Sequence, residues 1–269
     1  MDFTKYAYDV IIEAGQSNAQ GCGRGPVTEE YTPDEDIVYL YQNTDIVDKI
    51  VDGIWKMTIN VLDPAFYLRV ADEGEDTLGK CGDFSLTFAF EYKKNGLLKD
   101  GRKLLIIRSA VGGTGFMKKQ WGIRDELYLR MVDMVSYALS LNPENKIVGF
   151  LWHQGEHDAF EGNPPDAFEH QLKEMITDFK NRFDLRELPF VSGDFVNEWK
   201  SKNIESCAPI VEKIKKVTAS EGGVFVETED LPSNNQKTGN DDDIHFCRES
   251  LHILGRRYFE AYKSVIERA

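Results

Sequence analysis

A serine near the start of the chain and a histidine near its end could together attack a carbonyl group. Ser17 follows an apolar run in the segment Gly15-Gln16-Ser17-Asn18, and His245 closes the polar segment Asp242-Asp243-Ile244-His245. A serine hydroxyl needs a base near neutral pH, usually an imidazole, and a carboxylate on the other ring nitrogen fixes the tautomer of that base. Because Asp242 lies three residues before His245, one loop can carry both acid and base. This pattern predicts nucleophilic catalysis by Ser17.

The negative charge that develops on an attacked carbonyl oxygen would need fixed hydrogen-bond donors. The backbone N–H of Ser17, that of Gly112 or Gly113, and the side-chain amide of Gln154 could supply them. Gly112 and Gly113 follow the apolar run at 103–109, and Gln154 follows the apolar run at 146–152. Each of these signals is weak alone, because turns and helix N-termini commonly carry glycine and serine. Which of the two glycines donates stays open.

The elements that must position these residues are the strands of an α/β fold. Val10, Ile11 and Ile12 form the β-branched block expected of a strand covered on both faces. Further strand patterns lie at 36–42, 103–109, 146–152, 189–195 and 223–227, and helical patterns at 85–94, 127–141, 166–183, 205–220 and 249–268. This alternation favours a parallel sheet with helices on both faces. Ser17, the glycine turn and Gln154 would then meet at the strands' carboxyl ends, where such sheets bind ligands.

The chain length favours a single domain over residues 1–269 with an irregular insertion at about 43–82. The insertion contains Trp55, Pro64, Phe66 and Tyr67 among acidic residues. These side chains could form one wall of a sugar-sized cleft or could simply pack against the domain.

The composition argues against several classes of partner. Lys and Arg total 32 against 46 Asp and Glu, so the net charge of −14 disfavours nucleic acid and anionic membranes. No targeting segment and no run of about 20 apolar residues is present. The cysteines, Cys22, Cys81, Cys207 and Cys247, form no CxxC pair and predict reduced thiols in a cytoplasm. Cys22 lies near Ser17, but we interpret it as a packing residue.

Two other functions compete with serine catalysis. The segment His153-Gln154-Gly155-Glu156-His157 spells H-x-x-E-H, the inverted pattern of some zinc proteases. That pattern must lie on a helix to bring both histidines onto one face, whereas here a strand leads into it and Gly155 interrupts it. The other alternative is a non-catalytic carbohydrate-binding module, which the joint presence of Ser17, Gln154, Asp242 and His245 disfavours.

The chain resembles the SGNH-type hydrolases, specifically the branch of carbohydrate acetyl esterases that includes acetylxylan esterases and sialate O-acetylesterases. The matching segments are 15–18, 111–114, 152–158, 242–246 and 254–256, in an order and spacing that cover nearly the whole chain. Ala19 replaces the Met that often follows the first motif, and Gly82-Asp83-Phe84 only loosely matches the usual Gly-Pro-acid turn. These departures concern the acyl acceptor more than the chemistry.

The resemblance implies a flavodoxin-like, three-layer α/β/α fold with a five-stranded parallel sheet. It also implies removal of an O-acetyl group from a sugar, with Ser17 as nucleophile, His245 as base and no metal or organic cofactor. Gln154 would stand where many members of the superfamily use Asn. Some relatives employ the residue matching Glu156 as the acid, so Asp242 and Glu156 both stay candidates, with Asp242 favoured for its local spacing. The partner would be a small acetylated sugar, and the oligomeric state stays unknown.

Overall fold

The computed structural model describes residues 2–26, 31–42, 44–51, 54–61, 66–72 and 83–268. Within these residues the strands are β1 Ala7–Gly15, β2 Ile37–Tyr41, β3 Thr44–Val51, β4 Ile54–Val61, β5 Tyr67–Val70, β6 Arg102–Ala110, β7 Lys146–His153, β8 Phe190–Gly193 and β9 Val224–Val226. The helices are α1 Ser17–Gln20, α2 Ser85–Lys94, α3 Glu126–Ser140, α4 Glu156–Glu161, α5 Pro165–Arg182, α6 Asn197–Lys202, α7 Ile204–Ser220, α8 Asn234–Thr238 and α9 Arg248–Ile266. The predicted long helices and parallel strands are all present, with small differences at their ends.

Strand β1 lies at the centre of a seven-stranded sheet with the order β5-β2-β6-β1-β7-β8-β9. Every neighbouring pair is parallel except β2 and β5, which are antiparallel. The prediction of a five-stranded parallel sheet is therefore wrong in its detail. The short strand β9 extends one edge, and β5 pairs with the opposite edge. The strand order also differs from the flavodoxin-like one, in which the first strand lies between the second and third, because β6 separates β1 from β2.

Two apolar cores cover the two faces of the sheet. Val10 and Ile12 of β1 belong to the core that contains Met131 of α3 and Leu172 of α5. Ile11 belongs to the core on the other face, with residues of α2 and α9. All nine residues of β1 are buried, as expected for a strand between two helical layers. The three-layer α/β/α arrangement thus follows from which side chains share a core.

The predicted insertion at 43–82 contains strands where the structure describes it. Strands β3 and β4 pair with each other in a separate two-stranded sheet. Phe66 packs against Tyr137, with ring centroids 5.5 Å apart, and the Tyr67 and Tyr41 rings lie 3.8 Å apart. These contacts favour the packing interpretation of Phe66 and Tyr67. The Trp55 side chain, Pro64 and Cys81 lie outside the described residues, and the assignment of 1–269 to one domain stays a prediction.

Acidic side chains are buried on the α2 and α9 face of β1. Asp9 lies 2.7 Å from Arg102 Nε and accepts a hydrogen bond from Tyr92. Glu13 lies near Arg108 and accepts a hydrogen bond from Ser85. Burial raises the pKa of Glu13 well above its usual range. The apolar pattern of β1 therefore conceals two buried carboxyl groups. Among the helices of the described residues, none has the length and apolarity that a membrane span requires.

Candidate active site

Ser17 begins the short helix α1 immediately after the carboxyl end of β1. Gly15 has a φ of 139°, and a Cβ at this position would lie 2.1 Å from the backbone oxygen of His153. Only glycine fits this approach to β7, since any other residue would clash there and be strained at that φ. The Gln16 N–H then donates to the same His153 oxygen over 3.0 Å. This close contact between β1 and β7 fixes the direction in which Ser17 leaves the sheet.

His245 and Asp242 form a hydrogen-bonded pair in the loop between α8 and α9. His245 Nδ1 lies 2.8 Å from Oδ1 and 3.0 Å from Oδ2 of Asp242. Asn234 donates to Asp242 Oδ2 over 2.9 Å, and its own N–H donates to the His245 oxygen over 2.8 Å. Partial burial opposes ionisation of Asp242, but the hydrogen bonds from His245 and Asn234 outweigh it and lower the pKa. Asp242 therefore stays ionised beside the imidazole, and Nε2 remains available to a substrate or a nucleophile.

Ser17 and His245 line the same cavity, which has a volume of about 550 Å³. The lining residues are Gln16, Ser17, Gln20, Cys22, Gly112, Gly113, Glu156, His157, Phe160, Trp199, Asp243, Ile244 and His245. Within the described chain no hydrogen bond joins Ser17 to His245, as is common when no substrate is bound. The convergence predicted for Ser17 and the glycine turn is thus what the structure shows, and Glu156 and His245 line the same cavity.

Asn18 links the three parts of the chain that meet at this cavity. Its Nδ2 donates to Glu156 Oε1 over 2.9 Å and to the Ile244 oxygen over 3.1 Å. Its Oδ1 accepts from the Phe246 N–H over 3.0 Å. A fully buried amide with three such bonds holds α1, α4 and the histidine loop together. In the sequence, Asn18 is marked only by its place next to Ser17 in the motif at 15–18.

In the glycine turn after β6, one of the two N–H groups is hydrogen-bonded within the protein and the other has no acceptor among the described residues. The Gly112 N–H donates to Gln20 Oε1 over 2.9 Å. A Cβ at Gly112 would lie 3.3 Å from the Ser17 Cβ, so the turn passes very close to Ser17. Gly113 adopts a φ of 70°, which favours glycine. Neither the Gly113 N–H nor the Ser17 N–H donates to another described residue, so both can donate to a ligand.

Gln154 does not lie in the wall of the cavity, contrary to the position expected of an oxyanion donor. Its Nε2 donates to Asp158 Oδ2 over 2.6 Å and to the Thr114 oxygen over 3.2 Å. These bonds join β7 to α4 and to the residue after the glycine turn, and a longer bond of 3.5 Å reaches Gln16 Oε1. The physical reason is that the buried carboxylate of Asp158 attracts the amide away from the cavity. Gln154 therefore supports the turn that carries Gly113.

Glu156 is fully buried in the floor of the cavity and makes no hydrogen bond to His245 among the described residues. Burial raises the pKa of Glu156, against the opposing effect of the hydrogen bond from Asn18. Its other oxygen, Oε2, has no hydrogen-bond partner in the described chain. Geometry therefore favours Asp242 over Glu156 as the acid that orients His245.

The two histidines of the H-x-x-E-H pattern lie on different elements. His153 ends β7, and its Nδ1 lies 2.9 Å from the Tyr258 hydroxyl in a buried aromatic environment. His157 lies on α4, beyond Gly155 with its φ of 143°. His157 Nε2 lies 3.3 Å from Glu161. The pattern therefore lacks the shared helical face that a zinc site of this type requires, and the described residues include no cluster of three metal-ligating side chains.

A model of the carbohydrate esterase, sialic acid-specific acetylesterase family matches residues 7–264. The chain belongs to this family. The family is one of carbohydrate esterases, as the resemblance implied. A probable 9-O-acetyl-N-acetylneuraminic acid deacetylase of Escherichia coli (strain K12) is 31% identical over 88 residues, which span 30% of this chain and only 27% of that protein.

Solved structures of other proteins share the fold of this acetylesterase family member. The crystal structure of NanS has a TM-score of 0.71 and 20% identity, with 98% of this chain and 99% of that chain covered. XAC1771, a carbohydrate acetylesterase from Xanthomonas citri, has a TM-score of 0.63 and 18% identity, with 97% and 57% covered. At these identities the two likenesses concern the fold.

Proposed function

We propose that the protein removes O-acetyl groups from a carbohydrate through an acetyl-enzyme on Ser17. The observation that carries this proposal is that His245, which lies 2.8 Å from Asp242, lines the same cavity as Ser17. A hydrogen-bonded acid and base beside a serine is the arrangement that activates a hydroxyl. Family membership supports the acetylated carbohydrate as substrate.

The proposed reaction has two halves with His245 as the proton carrier. His245 accepts the Ser17 hydroxyl proton as Oγ bonds to the acetyl carbon, and the carbonyl oxygen takes up the negative charge. Collapse of this intermediate breaks the bond to the sugar oxygen, which leaves with the proton from His245. Water then attacks acetyl-Ser17 with His245 again as base, and acetate leaves while Ser17 regains its proton.

Each surrounding group has a role that its position supports. The N–H groups of Ser17 and Gly113 would stabilise the oxyanion. Asp242 would hold the imidazole in the tautomer with Nδ1 protonated and would favour the imidazolium that forms during attack. No step of this scheme needs a metal or an organic cofactor.

Replacing the nucleophile tests the proposal directly. We expect Ser17→Ala to lower kcat for an acetylated sugar by about four to six powers of ten. The same variant should lose labelling by a serine-directed phosphonate, measured as the mass increase of the intact protein. Circular dichroism should show an unchanged fold, because the short helix α1 can form with either residue.

Cys22 provides the discriminating control, since it is another nucleophilic side chain that lines the cavity. Cys22→Ala should still be labelled at Ser17. Turnover by Ser17→Ala near the wild-type rate would reject the mechanism, and loss of turnover in Cys22→Ala alone would move the nucleophile to the thiol.

A further inference from the structure

Phe160 exposes an aromatic ring at the mouth of the Ser17 cavity. Its side chain is 72% exposed, the highest value among the large apolar side chains of the described residues. Single exposed apolar residues are common on protein surfaces and need no explanation by themselves. The others, Met117, Leu129, Tyr137 and Ile204, do not line this cavity, whereas Phe160 does. Its exposure therefore coincides with the site.

Helix α4 runs from the floor of the cavity to its mouth. Glu156, its first residue, is fully buried, whereas Phe160 one turn later is largely exposed, and both line the cavity. Residues four apart lie on one face of a helix, about 6 Å from each other along its axis. The cavity thus has a deep end beside Ser17 and an aromatic entrance beyond it. In the proposed reaction the acetyl group would lie at the deep end, and the alcohol that carries it would lie at the entrance.

The charged residues that line the cavity are acidic. Asp243 lines it, and among the described lining residues there is no lysine or arginine. Two neighbouring lysines are paired with carboxylates: Lys202 lies 2.8 Å from Asp243 and 3.0 Å from Glu198, and Lys118 lies 3.5 Å from Glu161. A carboxylate on the sugar would meet the Asp243 carboxylate, with no lysine or arginine in the described lining to bind it.

We propose that the cavity takes an uncharged acetylated sugar whose ring stacks on Phe160. This inference rests on the proposed function and names the substrate class of the same site. The apolar face of a pyranose ring matches an aromatic side chain, which offers a large contact area. The proposed substrate also differs from the one in the name of the family, because sialic acids carry a carboxylate.

Three esters test the proposal. They are a mono-O-acetylated methyl glucoside, the methyl glucuronide acetylated at the same hydroxyl, and ethyl acetate, with acetate release as the measurement. For each variant we compare kcat/KM for the glucoside with kcat/KM for ethyl acetate. We expect Phe160→Ala to lower this ratio about tenfold, mainly by raising KM for the glucoside, because only the glucoside has a ring to stack. Phe160→Trp should preserve the ratio. Ile204→Ala, which removes an exposed apolar side chain outside the cavity, is the matched control and should also preserve it.

The charged pair tests the second half of the inference. For the wild-type enzyme we expect kcat/KM about tenfold lower for the glucuronide than for the glucoside, with the difference narrowing in Asp243→Asn and at high salt, which screens exposed charges. An equal or higher rate on the glucuronide would overturn the inference, as would a ratio that Phe160→Ala leaves unchanged. Failure of the proposed function would look different: the wild-type enzyme would then release acetate from none of the three esters.

Discussion

At the scale of single residues, the choice of the acid beside His245 decides how the site works. Asp242 contacts the ring nitrogen directly and belongs to the same loop. Glu156 lies deeper and is held by Asn18. We therefore expect Asp242→Asn to lower kcat about ten-thousandfold, as loss of the orienting carboxylate does in serine triads. Glu156→Gln should have a smaller effect, because its amide can still accept the Asn18 hydrogen bond. Steady-state kinetics with an acetylated sugar would measure both.

Both variants need a check on folding, since Asn18 and Asn234 bond to the replaced groups. Circular dichroism and the thermal midpoint should be close to those of the wild type in Asp242→Asn, which lies in a partly exposed loop. A greater loss of kcat in Glu156→Gln than in Asp242→Asn would transfer the orienting role to Glu156.

At the scale of elements, the turn after β6 depends on Asp158 of α4. The Asp158 carboxylate accepts hydrogen bonds from the Phe116 N–H over 3.0 Å and the Met117 N–H over 2.8 Å, and also from Gln154 and Asn163. A Cβ at Gly115 would lie 2.7 Å from the same carboxylate. This buried anion therefore fixes the backbone that follows Gly113.

We expect Asp158→Asn to lower kcat ten- to a hundredfold with little change in KM, because an amide NH2 would face backbone N–H groups and shift the Gly113 donor. Loss of a buried hydrogen-bond network should also lower the free energy of unfolding by about 2–4 kcal/mol. Kinetics well below the thermal midpoint and urea unfolding would measure the two effects. Asp166→Asn, at the exposed start of α5, is the control. Lower stability with an unchanged kcat would make Asp158 a purely structural residue.

The sequence pattern predicted the helices and strands far better than it predicted which strands pair and which side chains contact each other. Strand ends that carry Ser17, Gly113 and Glu156 were predictable because parallel strands share one rim. The direction of Gln154 was not, because it depends on Asp158, a partner from the next helix. Strand β5 was missed because its four residues lie in a segment without periodicity. The order of the strands depends on long-range pairing that no local pattern encodes.

At the scale of the whole molecule, ionisable groups buried behind the site make its stability depend on pH. His153 at the end of β7 is fully buried and surrounded by the rings of Phe84, Phe246 and Tyr258. The Tyr258 hydroxyl donates its one proton to the Trp152 oxygen, so His153 Nδ1 must carry a proton and donate to Tyr258. The ring is therefore neutral with Nε2 unprotonated, and burial lowers the pKa of His153 to about 3.

Because an unfolded histidine titrates near pH 6.5, only the unfolded chain binds this proton between about pH 4 and 6. Its uptake should lower the free energy of unfolding by about 1.4 kcal/mol for each unit of decrease in pH, so stability is lost towards acid. We expect His153→Gln to remove this contribution, measured by urea unfolding across that range. His170→Gln, on the exposed face of α5, should not. The comparison of His153→Gln with the parent protein is repeated in a Glu156→Gln background, which removes the carboxyl group 3.7 Å from His153 Nε2. An unchanged pH slope in both backgrounds would show that His153 is protonated in the folded protein.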